Sequence, residues 1–295
     1  MQRRPHRFEE YCQFFAISRQ GYYQHQEHQR SAESVQMQRY ALLVEVQHLR
    51  CRMPRLGGRK LLYCLHRNVP ALLVGIGRDA FFDLLREADV LVTHKKQYRA
   101  KTTDSRHSFR RYPDLYNEDR ARFVRPFMAI VADITYIATL EGFAYAALLT
   151  DVASRKVLGF DVSSSLCVEG SIRAAQMLLN EYRRCQKAAP KAMPATMLHH
   201  SDRGVQYCST EYVRLLKDNR WTLSMTQSGE PTDNALAERV NGIFKDEFLF
   251  DQTFQSIAKV QQSFAEAVQI YNNERPHSSL KMMTPSAFFT YFFAP

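Results

Sequence analysis

The sequence predicts an α/β fold, in which a mixed β-sheet is flanked by helices and preceded by an all-α N-terminal region. Three β-rich runs follow residue 126 and are separated by short turns, as in an antiparallel meander. Beyond them, strand-like runs alternate with amphipathic helical ones, which is typical of a sheet covered by helices. Before residue 94 the apolar periodicity is helical. These patterns together favour a helical N-terminal part followed by an α/β domain.

Length and composition exclude several classes of protein. The chain has 295 residues, of which 45% are hydrophobic, enough for two or three domains with at least one sizeable core. No apolar run is long enough to cross a membrane and the N-terminus has no signal-peptide core, so we expect a cytoplasmic protein without a membrane partner. The six scattered cysteines fit a reducing compartment better than a disulfide framework.

Positive charge is concentrated in one stretch of the chain. Residues 51–111 hold 14 Lys and Arg against 5 Asp and Glu, whereas residues 112–295 hold 19 against 20. Such a block attracts a polyanion through phosphate neutralisation and counterion release. Nucleic acid is therefore the favoured partner, with a solubilising surface as the alternative. The candidate DNA contacts in the N-terminal half are Arg19, Arg59, Lys60, Lys95 and Lys96.

The N-terminal half divides into two predicted segments. Residues 1–50 are expected to form short helices of helix-turn-helix type, with Ser18 capping the second helix, although any short helical hairpin gives this pattern. Residues 51–112 are expected to be a basic, helical DNA-binding region. It ends in a polar linker, His94–Arg111, which we expect to become ordered on DNA.

The α/β domain is predicted over residues 113–295. Its elements follow from β-rich runs, helical periodicity and helix-start signals. In chain order they are strands at 127–138, 143–154 and 156–165, a helix at 168–186, a strand at 195–200, a helix after Ser209, a strand at 222–226, a helix at 234–248 and a final helix at Ser256–Tyr271.

Two acidic residues lie in or just after predicted strands. Asp133 interrupts an apolar strand, where an ionised carboxylate is costly unless it reaches water, a metal ion or a donor. Asp202 directly follows the strand at 195–200, and ligands bind at the carboxyl ends of strands in open sheets. Each has an ordinary alternative, a strand-end aspartate for the first and a turn-starting aspartate for the second.

A third acid lies on the helix at 234–248. Helical spacing places Asn234, Glu238, Asn241 and Lys245 in one polar stripe, which holds one acid and one base beside two amides. The alternative is an ordinary solvated face of an amphipathic helix. The richness in amides favours a functional stripe over that alternative.

These residues lie in motifs that resemble the DDE transposases of the retroviral-integrase superfamily, specifically the OrfB-type subunit of bacterial insertion sequences. The resemblance runs from about Gln13 to Pro285, and thirty-five residues separate Asp202 from Glu238, the spacing of this branch. One departure is Ile130, where the family usually has a Trp. The matching stretches are ADITYI (132–137), LLTDVASRKVLGF (148–160), HSDRGVQY (200–207), SMTQSGEPTDNALAERVNGIFKDE (224–247) and YNNERPHSSLKMMTP (271–285).

The resemblance implies an RNase H-like integrase catalytic core with Asp133, Asp202 and Glu238 as its catalytic, metal-binding triad. The implied cofactors are two Mg²⁺ or Mn²⁺ ions, and the implied reaction is DNA strand cleavage and strand transfer at insertion-sequence ends. Converging carboxylates raise one another's pKa, so we expect the site to be poorly ordered or partly protonated until metal binds.

Further residues and partners also follow from the resemblance. Lys245 matches a basic position that the family is thought to use against DNA. His200, Asn234 and Arg203 are candidates for supporting the triad or positioning phosphate, although His200 has an equally good structural interpretation. The implied partners are double-stranded DNA (element ends and target), an OrfA product or an OrfA–OrfB fusion, and further copies of this chain on DNA. The implied location is the bacterial cytoplasm, at the nucleoid when DNA is bound.

Two rival interpretations remain at this point. One is an RNase H-like nuclease or resolvase that cuts DNA without strand transfer. The other is a catalytically inactive DNA-binding regulator.

Overall fold

The structure, a computed structural model, describes residues 8–92, 110–227 and 231–293. The chain divides into two compact units. In the described residues the first unit contains only helices, whereas the second contains a β-sheet, which confirms the predicted fold class. The first unit consists of Met1–Leu49 and Leu61–Leu91, and the second of Arg50–Lys60 and Val92–Pro295.

Residues 8–92 form four α-helices. Ser18 caps the second one as predicted, since its hydroxyl accepts a hydrogen bond from the backbone N–H of Gly21 at 2.9 Å. The expectation of short helices over the first fifty residues was wrong, because the second helix runs for 34 residues. No Gly or Pro interrupts the chain between residues 22 and 53. The helices are α1 (Phe8–Phe14), α2 (Arg19–Arg52), α3 (Gly58–Asn68) and α4 (Arg78–Glu87).

The apolar core of the first unit comes from the helices that the periodicity predicted. Phe81, Leu84 and Leu85 of α4 are buried, and their spacing places them on one face of the helix. Leu61 and Leu65 of α3 are buried as well. A DNA-binding role for α1 and α2 as a helix-turn-helix remains a prediction.

The second unit is built on a five-stranded mixed sheet in the order β3-β2-β1-β4-β5. The first three strands form the predicted antiparallel meander. β4 then pairs parallel to β1, and β5 pairs parallel to β4, so β1 lies in the centre of the sheet. The strands are β1 (Ala129–Thr139), β2 (Gly142–Asp151), β3 (Val157–Ser163), β4 (Leu198–Ser201) and β5 (Thr222–Met225).

Seven α-helices accompany this sheet among the described residues. The helix predicted as the last, α10, is followed by α11, which was not expected. Thr284 caps α11 by accepting from Ala287 N–H, and Pro285 occupies its first turn. The helices are α5 (Leu115–Glu118), α6 (Val168–Ala188), α7 (Val205–Cys208), α8 (Thr210–Asp218), α9 (Ala235–Glu247), α10 (Ile257–Asn273) and α11 (Pro285–Tyr291). No described helix has the length and apolar character needed to cross a membrane.

The central strand β1 has two buried faces. Successive side chains of a strand point to opposite sides of the sheet. Ile130 and Ala132 pack in the apolar cluster that includes residues of α6 and α8. Ala129 and Val131 pack in a second cluster with Ala237 of α9. Ile130, which stands where the family usually has a Trp, is therefore a fully buried apolar side chain of the first cluster.

Residues of the Arg50–Lys60 segment pack inside the second unit through charged groups. The backbone N–H of Arg55 donates to the carbonyl oxygen of Glu247 at 3.0 Å. Lys60 Nζ lies 2.9 Å from the Glu247 carboxylate, and the buried Arg275 guanidinium lies 2.7 Å from it. Although burial opposes ionisation, these two cations lower the pKa of Glu247 to about 2.

Candidate active site

The two aspartates predicted from the strands lie at neighbouring positions. Ala132 of β1 pairs with Ser201 of β4 in parallel register. Asp133 and Asp202 each follow the paired residue directly, so the parallel pairing sets them side by side. Strand alternation turns Asp133 to the face of the sheet that α9 covers.

Each aspartate is held by hydrogen bonds. Asp202 Oδ1 accepts from the backbone N–H of Gly204 at 2.9 Å, and a Cβ on Gly204 would lie 3.0 Å from that oxygen. Asp133 Oδ1 accepts from Ile134 N–H at 2.9 Å, and its Oδ2 accepts from Asn241 Nδ2 at 2.7 Å. The glycine two residues after Asp202 thus permits this close approach.

The protonation of Asp133 reflects its surroundings. Burial, with the charge of Asp202 and to a smaller extent that of Glu238, raises the pKa of Asp133 to about 8. The hydrogen bonds from Ile134 and Asn241 act in the opposite direction. The partial protonation that the sequence predicted without metal therefore agrees with the site's electrostatics.

Helix α9 presents its polar stripe to β1. The Asn234 side chain, just before the helix, donates to the carbonyl oxygen of Ala132 at 3.0 Å, and both Asn234 and Asn241 are buried. One turn after Asn241, Lys245 Nζ lies 4.1 Å from the centre of the Tyr136 ring of β1. The alternative of a solvated face is therefore wrong for the two amides. They fix the helix on both sides of Glu238, whose side chain is partly buried.

His200 and Arg203 support the loops around the site. His200 is fully buried, and its ring bonds Ser224 Oγ at 2.9 Å and the carbonyl oxygen of Asp233 at 3.1 Å. Burial lowers the pKa of His200, because it disfavours the charged form of the ring. Arg203 Nε donates to the carbonyl oxygen of Thr226 at 2.6 Å. The contacts of His200 correspond to its structural interpretation, because they join β4, β5 and the start of α9.

The remaining candidates are Arg19, Arg59, Lys60, Lys95 and Lys96. Arg19 is exposed in the first unit, 2.8 Å from Glu9, and Arg59 is exposed in the second. Lys60 is held by Glu247, as described above. Lys95 and Lys96 lie outside the described residues. DNA contact by any of them stays a prediction.

Two further buried residues of the second unit were not singled out as site residues by the sequence. Asn241 belonged to the polar stripe, but its hydrogen bond to Asp133 could not be read from helical spacing alone. Tyr207 is buried, its hydroxyl has no hydrogen-bond partner among the described residues, and burial raises its pKa well above the usual value. Tyr212 and the charges of Asp133 and Asp202 add to that rise.

The carboxylates fit a divalent cation in chemistry but are not gathered into a preformed site. Among the described residues, no three His, Cys, Asp or Glu side chains are arranged to hold a metal ion. Carboxylate oxygens are nevertheless the hard ligands that Mg²⁺ and Mn²⁺ prefer. A cation at Asp133 and Asp202 would also offset the repulsion that raises the pKa of Asp133.

Known families and proteins resemble this chain in sequence. Models of the integrase core domain match residues 124–231 and 219–285. The chain is 33% identical over 278 residues to the insertion element IS600 uncharacterized 31 kDa protein of Shigella sonnei, covering 94% of this chain and 96% of that protein. It is 34% identical over 151 residues to the transposase for insertion sequence element IS629 of Shigella sonnei, covering 51% of this chain and 48% of that protein. It is also 32% identical over 157 residues to transposase InsF for insertion sequence IS3A of Escherichia coli (strain K12), covering 53% of this chain and 51% of that protein.

Solved structures include more distant neighbours. One is a simian T-cell lymphotropic virus intasome in complex with PP2A regulatory subunit B56 gamma, with a TM-score of 0.46 and 17% identity over 81% of this chain and 75% of that chain. Another is the HTLV-2 integrase catalytic core domain in complex with magnesium, with a TM-score of 0.40 and 16% identity over 56% and 97%.

Fold, site and relatives together define a protein with an RNase H-like integrase catalytic core. The chain belongs to the insertion-sequence transposases of the retroviral integrase superfamily. This is a family of polynucleotidyl transferases that depend on divalent metal.

Proposed function

We propose that this chain cleaves DNA at the ends of an insertion sequence and joins the freed ends to target DNA. Asp133, Asp202 and Glu238 would hold two divalent ions, Mg²⁺ or Mn²⁺. The observation that supports this most is the pairing of β1 with β4, which sets the two aspartates side by side beneath α9. Asn234 and Asn241 fix that helix on β1 with Glu238 between them.

In this reaction the chain's own residues bind and orient the reactants and form no covalent bond with them. When bound, the two ions activate an oxygen nucleophile and stabilise the leaving 3′ oxygen. Asp133, Asp202 and Glu238 would hold these ions and orient them toward the DNA, as the family resemblance implies. Water serves as nucleophile for cleavage and the freed 3′-hydroxyl for joining. No covalent protein–DNA intermediate is therefore expected.

The partners belong to the same proposal. Double-stranded DNA supplies both the element ends and the target, and further copies of this chain assemble on it. Because the family resemblance implies an OrfA partner, we propose that the OrfA product, or an OrfA–OrfB fusion, completes recognition of the ends. Lys245, held over Tyr136 close to the site, is proposed to contact the DNA backbone.

Strand transfer by the purified protein tests this function. The substrate is the element's terminal DNA with a preprocessed 3′ end, given with Mg²⁺ and a target duplex, with and without the OrfA segment. Joined product is expected for the wild type and for Glu266→Gln, a matched loss of an exposed carboxylate on α10. Glu238→Gln is expected to abolish joining, because a neutral amide is a weaker ligand for a hard cation.

The possible outcomes separate the rival functions. Nicking without joining, dependent on Glu238, would support the nuclease or resolvase instead. DNA binding without nicking or joining, unchanged in Glu238→Gln and with the OrfA segment present, would support an inactive DNA-binding regulator.

A further inference from the structure

The short helix α5 is hydrogen-bonded to the start of α9, the helix that carries Glu238. Asn117 of α5 donates from its side-chain Nδ2 to the backbone carbonyl oxygen of Asp233 at 3.0 Å. The same oxygen lies 3.1 Å from Nε2 of the buried His200, and this nitrogen must donate because a carbonyl oxygen only accepts. Asp233 lies two residues before α9 begins at Ala235, so both bonds act where that helix starts.

The orientation of the Asn117 amide is fixed by its other partners. Its Oδ1 accepts from Arg120 Nε, and because a guanidinium only donates, the amide oxygen must face Arg120. The two N–H groups of Nδ2 then donate to the Asp233 carbonyl and to Oδ2 of Asp114. Asp114 Oδ1 also caps α5, by accepting from the backbone N–H of Asn117 at 3.0 Å. Both donors of the Asn117 side chain are therefore committed within the fold.

The ring of His200 is oriented by α5 as well. Its Nδ1 lies 2.9 Å from Ser224 Oγ of β5, and that hydroxyl accepts from the backbone N–H of Tyr116 at 3.1 Å. With Nε2 donating, Nδ1 can accept from the Ser224 hydroxyl. The Tyr116 ring packs against the imidazole, with 4.7 Å between the ring centres. Helix α5 thus acts on the Asp233 carbonyl twice, directly through Asn117 and indirectly through His200.

The position of the first turn of α9 determines where Glu238 lies. Glu238 belongs to that turn, so any rotation or shift of the turn moves its carboxylate as well. The Asn234 side chain fixes the same turn on β1, through the carbonyl oxygen of Ala132. The groups of a binding site must be held within about 0.5 Å of the productive geometry. Bonds from β1, β4 and α5 together can supply such precision.

We propose that Asn117 and His200 are positioning residues for Glu238. By holding the Asp233 carbonyl they fix the first turn of α9, and with it the carboxylate that this turn brings to the metal ions. The inference rests on the proposed function, since it requires Glu238 to be a metal ligand. It adds α5, which precedes the sheet in the chain, to the elements that determine metal affinity.

A double-mutant cycle tests whether Asn117 acts through Glu238. Mn²⁺ affinity is measured by electron paramagnetic resonance on the full chain, without DNA, for Asn117→Ala, Glu238→Gln and the combined variant. We expect Asn117→Ala to raise the Mn²⁺ dissociation constant about threefold to tenfold, the effect of one lost hydrogen bond. Combined with Glu238→Gln, the same substitution should have no further effect, because the carboxylate that Asn117 positions is absent. A merely structural role would weaken binding in both backgrounds.

A matched control removes a similar amide elsewhere in the second unit. Asn219, directly after α8, is also partly buried and donates to the carbonyl oxygen of Leu215 at 2.8 Å. Like Asn117, it accepts from an arginine through Oδ1. Asn219→Ala should therefore bind Mn²⁺ as the wild type does.

Two substitutions of His200 test the second hydrogen bond to the Asp233 carbonyl. His200→Gln keeps an N–H donor near the position of Nε2, whereas His200→Leu fills similar space without a donor. We expect His200→Gln to bind Mn²⁺ more tightly than His200→Leu. The proposal is overturned if Asn117→Ala binds Mn²⁺ as tightly as the wild type, or if it weakens binding equally with and without Glu238→Gln. Equal binding by the two His200 variants would also overturn it.

These outcomes separate the inference from the proposed function. Weaker Mn²⁺ binding by Glu238→Gln, together with unchanged binding by Asn117→Ala, would reject the positioning role alone. Unchanged Mn²⁺ binding by Glu238→Gln would reject the proposed role of this carboxylate, and the positioning role with it.

Discussion

Replacing Asn241 by Ala removes a single contact between α9 and the proposed metal site. The amide donates to Asp133 Oδ2 at 2.7 Å from a buried position, so water cannot readily replace it. A hydrogen bond to a charged group contributes about 1.5–3 kcal/mol. Asp133 must be ionised to bind metal, and the bond stabilises that form. Its loss should therefore weaken divalent-metal binding about tenfold to hundredfold, since each 1.4 kcal/mol is a factor of ten.

The assay is Mn²⁺ binding followed by electron paramagnetic resonance, with strand transfer measured in parallel over a range of Mg²⁺ concentrations. The variant should need more Mg²⁺ and recover part of its rate at high Mg²⁺, because the three carboxylates remain. Asn273→Ala is the matched control, an exposed amide near the end of α10. If Asn241→Ala bound Mn²⁺ as tightly as the wild type, the amide would not support Asp133 and this reasoning would be refuted.

Three further predictions concern stability. The fold raises the pKa of Asp133 to about 8, so the protonated carboxyl contributes to the free energy of unfolding at low pH. That contribution is lost as the pH rises from about 4 to about 8. Thermal melts without metal should show this decline in stability, and Asp133→Asn should flatten it. Arg275→Met leaves the buried Glu247 carboxylate short of its main partner and should cost about 3–5 kcal/mol in urea unfolding, whereas a loss below 1 kcal/mol would contradict the importance of the pair. Gly159→Ala would place a Cβ 2.0 Å from a backbone oxygen and should destabilise the protein by at least about 1–3 kcal/mol. Gly242→Ala, on α9, would place its Cβ in open space and should stabilise the protein by about 0.5–1 kcal/mol. Equal shifts of the melting temperature in the two variants would contradict this prediction.

The sheet could be predicted from the sequence because the signals for strands and turns are local. β-Rich runs and short turns predicted the meander, and the helix-start signals of Ser209 and Ser256 were confirmed as caps. The length of α2 was missed because Ser18 marks where a helix begins, whereas nothing in the polar residues that follow marks where it ends. Helix ends depend on packing as well as on local propensity.

The site was predictable in composition but not in its contacts. Spacing placed Asn241 and Glu238 on one stripe, yet only the packing of α9 on β1 shows that the amide holds Asp133. The contact of Lys60 with Glu247 joins positions 187 residues apart, which no local pattern could reveal. A count of charges along the sequence likewise does not show which cations have acidic partners in the fold.

The most direct test of the central claim is whether Asp202 holds the metal ion that strand transfer requires. In Asp202→Cys a thiolate replaces the hard carboxylate, and soft sulfur binds Mn²⁺ better than it binds Mg²⁺. The account predicts joining by the wild type with either ion, none by the variant with Mg²⁺, and partial recovery of the variant with Mn²⁺. Joining by the variant at the wild-type rate in Mg²⁺ would show that this carboxylate is not a metal ligand, and would contradict the account.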